Sequence, residues 1–140
     1  MNAVRKEFQQ VKKEYYQGNL KICKKCGSGG NVHLHHITPV IYGGTNDYEN
    51  LSPLCSKCHK DYHNYFEDKR LDWDEQYAQF LSSPTVQESL AFTDSFNKTF
   101  FGVDMNDVDI VEFHKTFNKV TEAVREMKRA IALEELEENN

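Results

Sequence analysis

Residues 23–63 read CKKCGSGGNVHLHHITPVIYGGTNDYENLSPLCSKCHKDYH and contain all four cysteines of the chain and five of its six histidines. Two CxxC pairs, Cys23–Cys26 and Cys55–Cys58, bracket the neighbours His35 and His36. His59 follows the second pair at once, and His63 lies four residues further on. Each CxxC loop turns two sulfurs toward one point, and two such loops complete a tetrahedral zinc site. The 28 residues between the pairs leave room for a strand, a loop and a second strand. Four-thiolate zinc contributes about 10–16 kcal/mol apparent to small modules, more than the apolar burial available to a segment of this length. Such spacing supplies ligands for two sites of different character, one closed and structural, the other open and chemical.

The open site rests on imidazoles. His59 and His63 are i, i+4 on an expected helix, so both rings share one face and form a bidentate metal grip. His35 or His36 approaches from the preceding strand. Three imidazoles with open positions suit a hydrolytic divalent cation. His33 and His114 read as ordinary surface or core histidines.

Outward from this stretch, Val4, Phe8, Val11 and Tyr15 predict a helix over residues 2–17, with Arg5, Lys6, Lys12 and Lys13 making it basic. Residues 20–31 form a cysteine-bearing turn closed by Gly27-Ser28-Gly29-Gly30. Val32–Ile37 and Leu51–Leu54 predict two short strands, Pro53 limiting the second to an edge or a strand end. A helix is expected from Ser56 to about Lys69. Asp72 with Glu75 caps the next helix, and Ser83-Pro84 reads as N-cap and first position of the one after. Gly102 breaks the chain. Ile110, Phe113, Phe117, Val120, Val124, Met127 and Ile131 alternate steps of three and four, a heptad seam on a last helix spanning 106–133. The seam folds back on the chain's own helices or pairs with a second copy, and phenylalanines at two seam positions favour folding back. The acidic tail Glu134–Glu138 is expected to fray. The fold class is therefore α+β, a small zinc-bound module embedded in a mainly helical chain: a basic amphipathic helix in 1–20, the metal module in 21–70, and a helical region in 71–140.

No apolar run reaches about 18 residues, so no membrane-spanning helix is expected. Without a secretory signal the expected compartment is the cytoplasm, where paired cysteines bind metal rather than form disulfides. The net charge is −5, unevenly placed. Residues 1–70 carry 11 Lys and Arg against 7 Asp and Glu (+4), and residues 71–140 carry 6 against 15 (−9). The half that holds the metal ligands is thus mildly basic; a local positive face there would suit a phosphate, while +4 by itself reads as ordinary solvated charge.

Cys23-x-x-Cys26, His35-His36-Ile37-x-Pro39, Gly43-Gly44, Asn50-Leu51 and Leu54-Cys55-x-x-Cys58-His59-x-x-x-His63 together resemble the zinc-knuckle branch of the HNH endonucleases, over about 40 of the 140 residues. The resemblance implies a ββα-metal core and metal-dependent hydrolysis of DNA phosphodiester bonds. By position it implies His36 as general base and Asn50 as the residue that holds the loop and helps orient it. His35, His59 and His63 would bind the catalytic cation, and Cys23, Cys26, Cys55 and Cys58 a structural Zn2+. An all-imidazole site leaves Mg2+, Mn2+, Ni2+ and Zn2+ as candidates, with imidazole favouring the later metals. DNA is the expected partner, with Lys24, Lys25, Lys57 and Lys60 on its backbone. Alternatives are a non-catalytic zinc-stabilised module that binds DNA or protein, and a nuclease regulated by a partner, or paired as a homodimer, through the C-terminal helices.

Overall fold

The computed structural model describes residues 2–138. Residues 1, 139 and 140, the extreme ends of the first and last expected segments, lie outside the described residues. The order is α1 (Ala3–Gly18), β1 (Val32–His36), β2 (Leu51–Cys55), α2 (Ser56–Tyr65), α3 (Trp73–Ser82), α4 (Val86–Thr99) and α5 (Ile110–Glu138), with single 3-10 turns at Val40–Tyr42, Tyr48–Asn50 and Met105–Asp107. It is an α+β fold, mostly helical around one two-stranded sheet.

The sheet is antiparallel, with Val32 opposite Cys55, Leu34 opposite Pro53, His35 opposite Ser52 and His36 opposite Leu51. A two-stranded sheet consists of edges, so Pro53 is tolerated inside β2. Its carbonyl accepts from Lys24 N at 2.8 Å, which brings the first cysteine loop onto the strand. Helix α2 starts directly from β2: Cys55 is its N-cap, and its sulfur accepts from Cys58 N. The helix ends at Tyr65, short of the expected Lys69. There Phe66 N and Glu67 N both turn back to the Tyr62 carbonyl.

Two small cores flank the sheet. On one side Tyr15 of α1 packs with Leu34 and Leu51, joined by Phe8, Val11 and Tyr16, so the expected stripe of α1 is its buried face. Asn2 caps this helix by accepting from Val4 N at 2.7 Å. On the other side the four cysteines, Leu54 and Tyr62 pack with Tyr77 and Phe80 of α3. Asp72 caps α3 through Glu75 N, as expected.

The C-terminal helices depart from expectation at three points. Thr85, not Ser83, caps α4, because Thr85 and Glu88 form a reciprocal capping box. Helix α5 begins at Ile110 rather than 106, since Asp109 Oδ1 accepts from Glu112 N at 3.0 Å and the Met105–Asp107 turn precedes it. It also continues through Glu138 rather than fraying at Glu134, anchored where buried Ala132 packs onto Gly29. The seam folds back in its first half. Phe113 packs against Phe92, Phe96 and Phe100, and Phe117 against Phe92, at 5.2–5.5 Å between ring centroids. Arg125 then forks onto Glu88, with Nε at 2.9 Å and Nη2 at 2.5 Å. The later seam residues Val120, Val124, Met127 and Ile131 are exposed. No helix among the described residues is long and apolar enough to cross a membrane.

Candidate metal centres and active site

The sulfurs of Cys23, Cys26, Cys55 and Cys58 lie within 4.8 Å of one another, and all four residues are buried and free of disulfides. Cys23 and Cys26 sit on a tight loop closed by Cys23 N to Ser28 O (2.8 Å) and Gly27 N to Cys23 O (3.0 Å). Gly27 is required there twice over. Its φ is +82°, and a β-carbon would stand 2.7 Å from the Arg125 carbonyl of α5. The Cys26–Cys55 sulfur separation of 3.7 Å is far beyond a disulfide bond. It matches the roughly 3.8 Å edge of a tetrahedron whose metal–sulfur bonds are about 2.3 Å. Hydrogen bonds within the cluster, from Cys26 first and then Cys55 and Cys58, pull the Cys23 thiol down, while the bond with Cys23 pushes Cys58 up. Four thiolates at this range repel unless a divalent cation stands between them, so the donor set suits a metal ion such as structural zinc.

The second set of donors comes from β1 and α2, beside Tyr62 and Tyr77 of the cysteine core. His35 of β1 joins His59 and His63 of α2, each offering a nitrogen within 4.8 Å of the others. His59 Nε2 and His63 Nε2 are 2.9 Å apart, and lone pairs facing at that distance need a proton or a cation between them. Among the described residues His35 Nε2 is buried with no hydrogen-bond partner, an expensive condition unless something else engages it. Burial first, then the neighbouring imidazoles, lowers the pKa of His35 to about 3, and burial with His63 and His33 lowers His59 to about 4. Both are therefore neutral at pH 7 and able to coordinate. The trio fits one divalent cation.

His36 occupies the next position on β1 and lines the same cleft of about 570 Å³ with His35, His59, His63 and Arg5. Its Nε2 lies 2.9 Å from Asn46 Oδ1, and the Phe8 ring covers it at 4.4 Å between centroids. Asn50 clasps the loop between the strands. Its Oδ1 accepts from Thr38 N (2.8 Å), and its Nδ2 donates to the carbonyls of Thr38 (3.1 Å) and Thr45 (2.9 Å). No hydrogen bond joins the Asn50 side chain to His36 among the described residues, and its own carbonyl accepts from Ile37 N at 2.8 Å, next to His36.

Residues 23–65 match the family described as HNH endonuclease. The chain belongs to the HNH endonuclease family. It is also 40% identical over 60 residues to Anaredoxin from Nostoc sp. strain PCC 7120, an alignment covering 42% of this chain and 74% of that relative. No solved structure gives a significant match. The match thus spans both clusters of candidate metal donors and His36, whereas α1 and everything after Tyr65 lie outside it.

Several residues around the HNH site escape sequence reasoning. Glu67 accepts from His63 Nδ1 and so leaves Nε2 free to face the other imidazoles. Tyr77 of α3 stacks on His35 at 5.5 Å, and its hydroxyl donates to Ser52 Oγ at 2.5 Å, forming the back wall of the site. His33, read as ordinary, is exposed but stacks on His59 at 5.9 Å. Only the carboxylate at Glu67 left a trace, four residues beyond His63 on the expected helix.

One lysine requires correction. Lys25, expected on the DNA backbone, is buried: its ammonium sits 4.3 Å from the Phe80 ring centroid and donates to the carbonyls of Phe80 and Ser83. Phe80 O also accepts from Ser83 N and Ser83 Oγ at the end of α3, and the Lys25 ammonium joins that cluster of carbonyls. Lys24, Lys57 and Lys60 are exposed.

Proposed function

We propose that this chain is a metal-dependent DNA endonuclease whose working unit is the module of residues 21–70. One observation carries the reading: nitrogens of His35, His59 and His63 gather within 4.8 Å in the cleft that His36 lines, and among the described residues the buried His35 Nε2 has no hydrogen-bond partner. A zinc scaffold alone needs neither the second cluster nor His36 beside it.

In this reading His35, His59 and His63 hold a divalent cation, with zinc or nickel better suited to imidazole than magnesium or manganese. When bound, that cation offsets the negative charge that builds on the phosphate in the transition state. His36 removes a proton from a water molecule as its oxygen bonds to phosphorus. The P–O3′ bond breaks, the 3′ oxygen takes a proton from solvent, and a 5′-phosphate and a 3′-hydroxyl result. Tyr77 and Tyr62 close the back of the site against water. Asn50 keeps the loop edge in place, and Cys23, Cys26, Cys55 and Cys58 tie the base of the module through structural zinc. Lys24, Lys57 and Lys60 touch the phosphate backbone without reading bases.

Nicking of supercoiled plasmid with added Mg2+, Mn2+, Ni2+ or Zn2+ tests the reading. His36→Ala is expected to lose about 10²–10⁴-fold in rate while keeping its fold. Equal nicking by both proteins removes His36 from its role. Replacing Lys57 or Lys60 by alanine should make the slope of log affinity against log salt shallower by about 0.9 for each phosphate no longer neutralised.

A further inference from the structure

We propose that Asn46 is a positioning residue that presents His36 with Nδ1 toward the cleft, and that helix α1, outside the family match, is what holds Asn46 and His36 in that arrangement. The kinetic part of the proposal rests on the nuclease reading; the structural part does not.

The assignment follows from a chain of donors and acceptors. One end of the Asn46 carboxamide lies 2.7 Å from the carbonyl oxygen of Val4 in α1. A carbonyl only accepts, so that end is the NH2 group. The other end, Oδ1, then faces His36 Nε2 at 2.9 Å. Oδ1 also only accepts, so Nε2 carries the hydrogen. In a neutral imidazole the remaining nitrogen, Nδ1, holds the lone pair. The orientation of the amide and the tautomer of the ring, each ambiguous alone, are settled together by a main-chain oxygen that has no alternative role.

Helix α1 restrains the same ring by a second route. Phe8, one turn beyond Val4, lies over the imidazole at 4.4 Å between centroids with a tilt of 44°. Phe8 and Val11 also pack against the Tyr15, Leu34 and Leu51 core that seats α1 on β1. Rotation of His36 about its side-chain bonds would break the Asn46 hydrogen bond on one edge and meet Phe8 on its face. The stretch that brings Asn46 within reach is tied down by Asn50 Nδ2 bonding to Thr45 O, one residue away. Asn50 therefore fixes the loop, and Asn46 carries that placement to the ring.

The test uses the full chain, loaded with zinc and labelled with 15N-histidine. Wild type is expected to give a long-range 1H–15N pattern for His36 with the proton on Nε2 and an exchange-protected Nε2–H signal. Asn46→Ala should lose that protected signal. Its kcat for plasmid nicking should fall about 10- to 100-fold, the order expected for a misplacement near 1 Å, with KM within twofold and zinc content and circular dichroism unchanged. Asn46→Asp keeps an acceptor for the ring but turns an oxygen toward the Val4 carbonyl in place of the donor, so it should lose the protected signal as the alanine variant does; a signal as protected as in wild type would remove α1 from the arrangement. A wild-type proton on Nδ1 overturns the proposal even if the alanine variant fails to fold. So does an alanine variant with the protected signal and kcat both intact. The two readings separate cleanly: a protected Nε2–H in a protein that never nicks keeps the positioning and removes the nuclease, whereas His36-dependent nicking with the proton on Nδ1 does the reverse.

Discussion

Replacing Gly44 by alanine puts a methyl group where the Thr38 carbonyl already is. The added carbon would lie 1.8 Å from Thr38 O, 2.7 Å from the carbonyl carbon and 2.9 Å from Pro39 O. Restoring a separation of about 3.0 Å requires a shift of more than about 1 Å, and the obstacle is backbone, which has no rotamer to change. That backbone is also in use: Thr38 O accepts from Asn50 Nδ2, and Pro39 O accepts from Gly44 N at 2.9 Å. Overpacking of this kind costs about 1–3 kcal/mol, and breaking one hydrogen bond adds about 0.5–1.5 kcal/mol. The sum, about 1.5–4.5 kcal/mol, corresponds to roughly 5–14 °C in Tm at about 3 °C per kcal/mol for a chain of this size. The functional effect should be larger in proportion. The displaced loop carries Asn46 away from His36, and an error near 1 Å at a reacting group costs about 10²-fold in rate. Zinc content should not change, because the sulfur cluster lies on the other core. Differential scanning calorimetry, zinc analysis and plasmid nicking on Gly44→Ala read the three effects. Wild-type Tm and wild-type nicking together would refute the reasoning.

Other outcomes follow from the same geometry. Cys26→Ser should forfeit much of the about 10–16 kcal/mol that four-thiolate zinc contributes and lose the module's circular dichroism signature. His63→Ala should keep that signature and lose the exchangeable cation; an unchanged Cys26→Ser thermal midpoint would sink the structural-metal assignment. Glu67→Ala releases His63 Nδ1 and should weaken cation binding at the imidazole trio about 10–100-fold, read by calorimetric titration, without altering bound zinc. Stability should also depend on pH. His35 and His59 titrate near 3 and 4 in the folded chain against about 6.5 when unfolded. The unfolded state therefore binds more protons between these values, and stability is complete above pH 6.5 and declines as pH falls toward 4. Tm should drop between pH 7 and 5.5, and less steeply in His35→Gln; equal slopes would contradict the burial argument.

The sequence alone determined the parts that depend on spacing. Two CxxC loops, an i, i+4 histidine pair and alternating apolar residues before Gly18 are local patterns, and local geometry turns them into a sulfur cluster, a helical imidazole grip and a seated helix. Tertiary structure decided what depends on which surfaces meet. Lys25 reads as a surface cation in sequence, yet the carbonyls of Phe80 and Ser83 at the end of α3 converge beside it and take it inside. The Thr85–Glu88 box displaced Ser83 as helix cap because Glu88 can close it and still receive Arg125. Asn46, Phe8 and Tyr77 carry no signal around His35 and His36, since their roles arise only when α1, the inter-strand loop and α3 converge on β1. Long-range juxtapositions of that kind are set by packing and hydrogen-bond satisfaction across the whole chain, and sequence spacing does not encode them.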